Sequence, residues 1–412
     1  MRVKFLFPAG IACIASLSVA TETVVVSASP VSPDGELATL VESVSRDEIL
    51  RAGGANLADA LANTPGVTGT AFASGASRPV IRGFDASRVR VLEDGIGSFD
   101  VSDVGPDHGV PIDPLSAERI EVIRGAATLR YGSQAIGGVV NAINNRVPIR
   151  MPSAPFSAEL SSLYGTNAQT RQGSALLDAA LGDFAFHADG FQRRAEDYDT
   201  PDGKLANSFF DGGGYSFSSS YFFGPNRLGA ALVHYDARYG IPDEDNYIDM
   251  RQTKEMLRSS FAPDFGPLHR INVDAGYADY EHSELTPEGE VESTFKDREW
   301  DARAEALFGA TGPIMAAALG VQLQEKNFSA LGAGADYMLP ARTRSAAAFA
   351  FGDTPLRSNL HLHTGLRVER VSIDGTPADD VGVSRSYTPL RPSCSRADRT
   401  TALRRSKPGI PG

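Results

Sequence analysis

From about residue 150 onward, apolar and polar positions alternate along the chain. Segments 156–165, 215–224, 227–240, 269–284, 298–310 and 360–373 each place aromatic or small apolar residues on one face and polar residues on the other. This period of two predicts strands rather than helices. Gly, Pro, Asp and Asn cluster between the segments, where reversing strands need turns. About eleven such segments, of roughly ten residues each, fit between residues 151 and 390. No run of about eighteen apolar residues occurs, so no membrane-spanning helix is indicated. Alternation of this kind fits strands that face lipid on one side, and it also fits a soluble β-sandwich.

Residues 37–150 have a different texture, that of a compact α/β domain. Ser45, with Glu48 three residues on, is placed to cap a short helix. Asn56 caps a second helix, Leu57 to Ala62, which Pro65-Gly66 ends. Strand-like runs follow at Val80–Phe84, at Arg88–Leu92 with a Glu93-Asp94-Gly95 turn, and at Ile120–Ile123. Arg124-Gly125, Tyr131-Gly132 and Gly137-Gly138 then lead into a second apolar run, Val139 to Ile143. Strand, turn, short helix, glycine pair, strand is the expected order, with glycine where the backbone must bend.

The first twenty residues resemble a secretory signal. Arg2 and Lys4 precede an apolar stretch from Phe5 to about Leu17, and Ser18-Val19-Ala20 fits a small-residue cleavage site. Gly10 is not the residue a lipoprotein signal places ahead of a cysteine such as Cys13, so lipidation is not expected. Next comes a β-branched run, Glu22-Thr23-Val24-Val25-Val26-Ser27, able to add as an edge strand to a partner or to serve as a first strand of the domain. A Pro/Ser linker closes the stretch 21–36. At the other end, residues 391–412 do not alternate and carry six Arg or Lys against the single acid Asp398. That tail suggests out-of-frame translation or a premature end; a disordered basic tail on a short protein is the alternative.

The formal net charge is −12, and the expected cleavage would remove two of the positive charges. An acidic chain disfavours nucleic acid as a partner. Cys394 would be the single cysteine of the mature chain, leaving no internal disulfide and no cysteine-based zinc site. No G-x-S-x-G, phosphate-cradling glycine loop or H-E-x-x-H motif is present, which points away from catalysis.

The run IEVIRGAATLRYGSQAIGGVVNAI (120–143), with Arg82-Gly83-Phe84 and Glu93-Asp94-Gly95 before it, closely resembles the plug domain of TonB-dependent outer-membrane receptors. It departs at Ala126, where that family commonly has proline. The resemblance covers nearly all of 22–150 and makes Glu22–Ser27 similar to a TonB box. It implies an α+β plug followed by a transmembrane antiparallel β-barrel, here with about half of the roughly 22 strands of the family. The implied division is a signal peptide at 1–20, TonB box and linker at 21–36, plug at 37–150, partial barrel at 151–390 and atypical tail at 391–412. The implied partners are the TonB periplasmic domain, outer-membrane lipid of a Gram-negative bacterium, and a metal ion or metal chelate as substrate. No resident cofactor and no covalent chemistry are implied.

Ligand candidates are few. Within Ser102–Gly109, Asp107 and His108 set a carboxylate beside an imidazole, donors suited to zinc or another divalent cation as substrate. A surface loop bonded to itself is the plain alternative. The phrase around this pair is similar to the zinc-importing branch of the receptors, as are Tyr239-Gly240-Ile241-Pro242 and Phe328-Ser329-Ala330-Leu331-Gly332. Where that branch often has a His-rich loop, the chain has Asp243-Glu244-Asp245, which could assist. His361 and His363 share one strand face and suggest a lumen-facing polar pair. Trp300 and tyrosines near strand ends suggest an interfacial girdle. The function expected is energised uptake of a metal ion or chelate into the periplasm. A periplasmic binding module built on 37–150, or a non-functional truncated receptor, are the alternatives.

Overall fold

Two layers of organisation are visible in the computed structural model, which describes residues 41–375 except 55, 243, 264, 311, 313, 315, 337, 358 and 359, and the backbone alone at 361. The signal segment, the Glu22–Ser27 run, both cysteines and the basic tail lie outside the described residues.

The N-terminal domain holds strands β1 (Val41–Ser45), β2 (Val67–Gly69), β3 (Pro79–Ile81), β4 (Val89–Glu93), β5 (Ile96–Gly97), β6 (Arg119–Ile123) and β7 (Gly138–Ile143). Five of them form a sheet of order β1-β6-β7-β4-β5, and β2 pairs with β3. Helix α1 (Arg46–Ala52) starts where Glu48 reaches back to the Ser45 N–H at 2.8 Å. Helix α2 (Leu57–Ala60) is capped by the Asn56 side chain, which accepts from the Asp59 N–H at 3.0 Å. Leu57, Leu61, Ile81, Ile120, Val122 and Val140 fill the core between these helices and the sheet. The expected strand from Val80 to Phe84 stops at Ile81. Arg82 and Gly83 both take positive φ, and the chain folds back so that Ile81 bridges Phe84.

Eleven strands make the second sheet: β8 (Phe156–Tyr164), β9 (Arg171–Leu181), β10 (Phe184–Ala195), β13 (Phe210–Phe223), β14 (Asn226–Gly240), β15 (Tyr247–Phe261), β16 (Leu268–Leu285), β17 (Val291–Phe308), β18 (Ala316–Gly332), β19 (Ala341–Arg357) and β20 (Leu360–Gly375). Every neighbour is antiparallel and next in the order, apart from a small ribbon, β11 (Asp199–Thr200) with β12 (Gly203–Lys204), inserted between β10 and β13. The alternation therefore gives the number of strands correctly. It underestimates their length: β13 to β20 run 14 to 18 residues. A tilted strand needs only about 9–11 residues to cross a bilayer. The extra length is held by charged residues set directly opposite one another: Arg194–Asp211, Arg238–Asp249, Arg251–Glu281 and Arg298–Asp279. Such pairs favour strand pairing in water as apolar pairs do in lipid.

Alternate residues of the large sheet point inward onto the N-terminal domain, and the other set forms an apolar outer face that includes Phe217, Leu232, Leu257, Trp300, Leu319, Val321 and Leu366. Buried ion pairs join the layers. Arg146, just after β7, pairs with Glu93 and with Asp189 of β10. Lys254 of β15 reaches Glu93 at 2.9 Å. Arg193 of β10 meets Asp113 at 2.9 Å, and Arg130 meets Glu305 of β17. An isolated buried charge is very unfavourable, so each partner fixes the other in place.

Candidate metal centre

The loop between β5 and Pro114 rises to one end of the sheet and carries Asp107 and His108. Its shape is set by hydrogen bonds between its backbone and the Arg78 and Asp100 side chains, and by bonds within the loop. Arg78 donates to the carbonyls of Ser102 and Gly105. The Asp100 carboxylate accepts from the Ser102 N–H at 2.8 Å, and the Val104 N–H bonds the Val101 carbonyl at 3.0 Å. The Val101 carbonyl also lies 3.1 Å from His108 Nδ1. A carbonyl only accepts, so Nδ1 carries the proton and Nε2 presents its lone pair when the ring is neutral.

That Nε2 faces two carboxylates: Asp107 Oδ2 at 3.6 Å and Glu284 Oε1 at 3.7 Å. Glu284 and His282 belong to β16, two residues apart and so on the same inward face. The His282 ring packs 4.4 Å from that of His108, and Phe295 of β17 stacks against it at 4.9 Å. Tyr280 Oη lies 3.0 Å from His282 Nδ1. His282 Nε2 is buried and has no hydrogen-bond partner among the described residues. A buried nitrogen left in that state costs about 1–3 kcal/mol unless something binds it.

Donor atoms of His108, His282 and Glu284 all lie within 4.8 Å of one another. Around one zinc ion, tetrahedral donors stand about 3.3 to 3.5 Å apart, so a small contraction would bring these three onto one cation. Asp107 borders the set through His108 but is not itself within that mutual distance. Two imidazoles and a carboxylate suit zinc and its neighbours among the transition metals better than calcium or magnesium. Phe295 and Tyr280 make an apolar floor, while the Asp107 and Glu284 side chains keep about a fifth of their surface in solvent. Burial works against a charged His108, but Glu284 and Asp107 outweigh it and raise the pKa above the ordinary histidine value.

Of the other residues singled out in the sequence, several are structural. Arg124 pairs with Glu42 at 3.0 Å and donates to the Pro65 carbonyl at 2.7 Å. Gly125 opens a 3-10 helix, Gly125–Arg130, and Tyr131 is buried beneath the guanidiniums of Arg130 and Arg303. Gly132 and Gly138 take positive φ, and a Cβ on Gly138 would lie 2.8 Å from Ile81 Cδ1. Gly137 packs against Phe84, so the Arg82-Gly83-Phe84 turn and the glycine pair form one seam. Glu244 and Asp245 are exposed in their loop and do not join the metal cluster; Asp243 lies outside the described residues. His363 faces the interior 3.8 Å from Asp353. His282 and Glu284 escaped the sequence reading although the signal was there: a His-x-Glu pair on an alternating strand places both donors on one face.

The same sequence pattern and architecture recur in known proteins. Residues 34–139 match the family model "TonB-dependent Receptor Plug Domain". The chain superposes on the copper transporter OprC with a TM-score of 0.71 and 16% identity, over 82% of this chain and 55% of that one. The fold is that of a TonB-dependent receptor. The ferric-catecholate import receptor Fiu from E. coli K12 matches with a TM-score of 0.64 and 17% identity, over 84% of this chain and 64% of Fiu. The siderophore receptor PirA from Pseudomonas aeruginosa gives 0.61 and 18%, over 82% and 59%. The chain thus spans between about half and two thirds of the length of these receptors. Within this fold the N-terminal domain is the plug, and the candidate His108–His282–Glu284 cluster straddles plug and barrel wall. It sits at the end that carries the longer connections, 196–209 and 333–340, whereas the opposite end has the short turns 182–183 and 224–225. In outer-membrane barrels the longer connections face outward and the short turns face the periplasm.

Proposed function

We propose that this chain belongs to an outer-membrane receptor that captures a divalent transition-metal cation, zinc or a close relative, for energised transport into the periplasm of a Gram-negative cell. The observation that carries this reading is the His108–His282–Glu284 cluster with its unpartnered, buried Nε2 of His282. Protein ligands would come from both sides of the plug–wall boundary. Drawing the plug away from the wall therefore separates His108 from His282 and Glu284 and lowers affinity at the moment of release. The Glu22–Ser27 run would supply the edge strand on which a TonB-type partner pulls. The buried pairs Arg146–Asp189 and Lys254–Glu93 favour a plug working inside its barrel over a free-standing periplasmic binding module.

Titration of zinc into the purified full chain in detergent tests this. One equivalent should bind, and His282→Ala and Glu284→Gln should each weaken binding by at least about tenfold. Zinc binding unaffected by either substitution would remove the cluster as the capture site. The descriptions of Fiu as a ferric-catecholate receptor and PirA as a siderophore receptor favour a second reading, uptake of a metal chelate. Binding of a ferric catecholate by a chain indifferent to free zinc would establish that reading instead.

A further inference from the structure

Tyr239 stands near the outer end of β14 and only 1% of its surface is exposed. Its hydroxyl bonds the plug backbone twice. It accepts from the Gly109 N–H at 2.9 Å and donates to the Asp107 carbonyl at 2.9 Å. The two bonded peptide groups flank His108. The plug backbone lies close against the ring: a Cβ on Gly75 would lie 2.3 Å from Tyr239 Cγ, and one on Gly109 would lie 2.2 Å from the Gly75 carbonyl oxygen. Gly75 is thus needed for the plug backbone to come this close to the barrel wall, and Gly109 for its own segment to pass the Gly75 backbone. Phe210 of β13 stacks on the other side of the ring.

We propose that Tyr239 is the positioning residue of the metal site. It touches no ligand atom. It holds the Asp107–Gly109 backbone against the wall so that the His108 imidazole is presented to His282 and Glu284. This inference rests on the metal reading of the cluster for its functional meaning, while the clamp itself is a property of the metal-free chain. It also makes seating and binding one event. Withdrawal of the plug must break both bonds of Tyr239 before His108 can leave.

Tyr239→Phe removes the hydroxyl and keeps the buried ring, so the barrel retains its packing. In the metal-free full chain, hydrogen exchange of the segment 105–110 should accelerate in Tyr239→Phe. Exchange unchanged there overturns the clamp whatever the chain binds. In zinc titrations Tyr239→Phe should bind about tenfold more weakly than the parent, the size of effect expected of residues that orient metal ligands. In a His108→Ala background the same substitution should add nothing, because Tyr239 acts through His108. Equal losses in both backgrounds, or an equal loss from Gln252→Ala, would mean general loosening of the plug and overturn the proposal. Gln252 is the proper control because it also hydrogen-bonds plug carbonyls, those of Ser98 and Phe99, away from the cluster. If the parent binds no zinc, the metal reading falls, and the exchange result alone decides whether the clamp exists.

Discussion

His282 is the residue whose surroundings say most. A histidine buried to 0% exposure, stacked on Phe295, with one nitrogen near a tyrosine hydroxyl and the other unmatched among the described residues, is poorly served by its surroundings. Binding a cation, as proposed, would repair that deficit. His108 differs, because its neighbours Glu284 and Asp107 raise its pKa and the metal-free site holds a proton there above the ordinary histidine range. Zinc must displace that proton. Zinc affinity should therefore climb as pH rises through that interval and level off above it. Calorimetry in two buffers of different ionisation enthalpy would count the released proton; equal heats would contradict the expectation. Asp107→Asn should have a smaller effect on affinity than His282→Ala, since Asp107 lies at the border of the cluster.

At the scale of elements, the domain boundary combines buried charges with an apolar seam in which Val101 and Leu115 pack with Tyr235, Tyr239 and Ile248. Arg146 joins the β4 carboxylate Glu93 to the β10 carboxylate Asp189, and all three are nearly inaccessible to water. Arg146→Ala would strip Asp189 of its guanidinium partner and leave Glu93 with Lys254 alone, at a cost of up to about 3–5 kcal/mol. Protease nicking of the plug in the otherwise folded chain should become markedly faster. Helix α1 offers a milder test. Loss of its cap in Ser45→Ala should cost about 1 kcal/mol, read as a lowered unfolding midpoint. Strand β16 shows how one element serves two ends. Its His282 and Glu284 face the candidate metal site at the end with the longer connections, while Asp274, nearer the short turns, lies among Arg258 and Arg303.

For the whole molecule, the outer face of the sheet is apolar over its middle and charged toward one rim. That distribution fits a bilayer as the surrounding medium, and no described helix is long and apolar enough to cross a membrane. Leu232→Arg and Val321→Arg, on the apolar outer face, should each destabilise the inserted protein by about 2–4 kcal/mol in lipid. Gln322→Arg would point inward instead and should not show that lipid-dependent penalty. Urea titration in liposomes measures the difference. An equal effect for inward and outward positions would count against a membrane-facing sheet.

Much of the architecture was legible in the chain itself. A strand period of two, turn residues between the runs and the two helix caps are local signals, and they yield an α+β domain followed by an antiparallel sheet of about eleven strands. The seam from Arg82 to Gly138 was legible as glycine spacing, although only the folded chain shows Gly137 against Phe84 and Gly138 against Ile81. Strand length was not legible, because pairing beyond the apolar band depends on which charged residues come to stand opposite one another. The metal centre was half legible. Asp107-His108 stood out as neighbours in sequence, but a site also needs donors that are close in space, and His282 and Glu284 lie far along the chain. Residue order determined the strands, caps and turns; only the packing of plug against barrel decided that donor atoms of His108, His282 and Glu284 come within 4.8 Å of one another and that Tyr239 bonds the backbone on either side of His108.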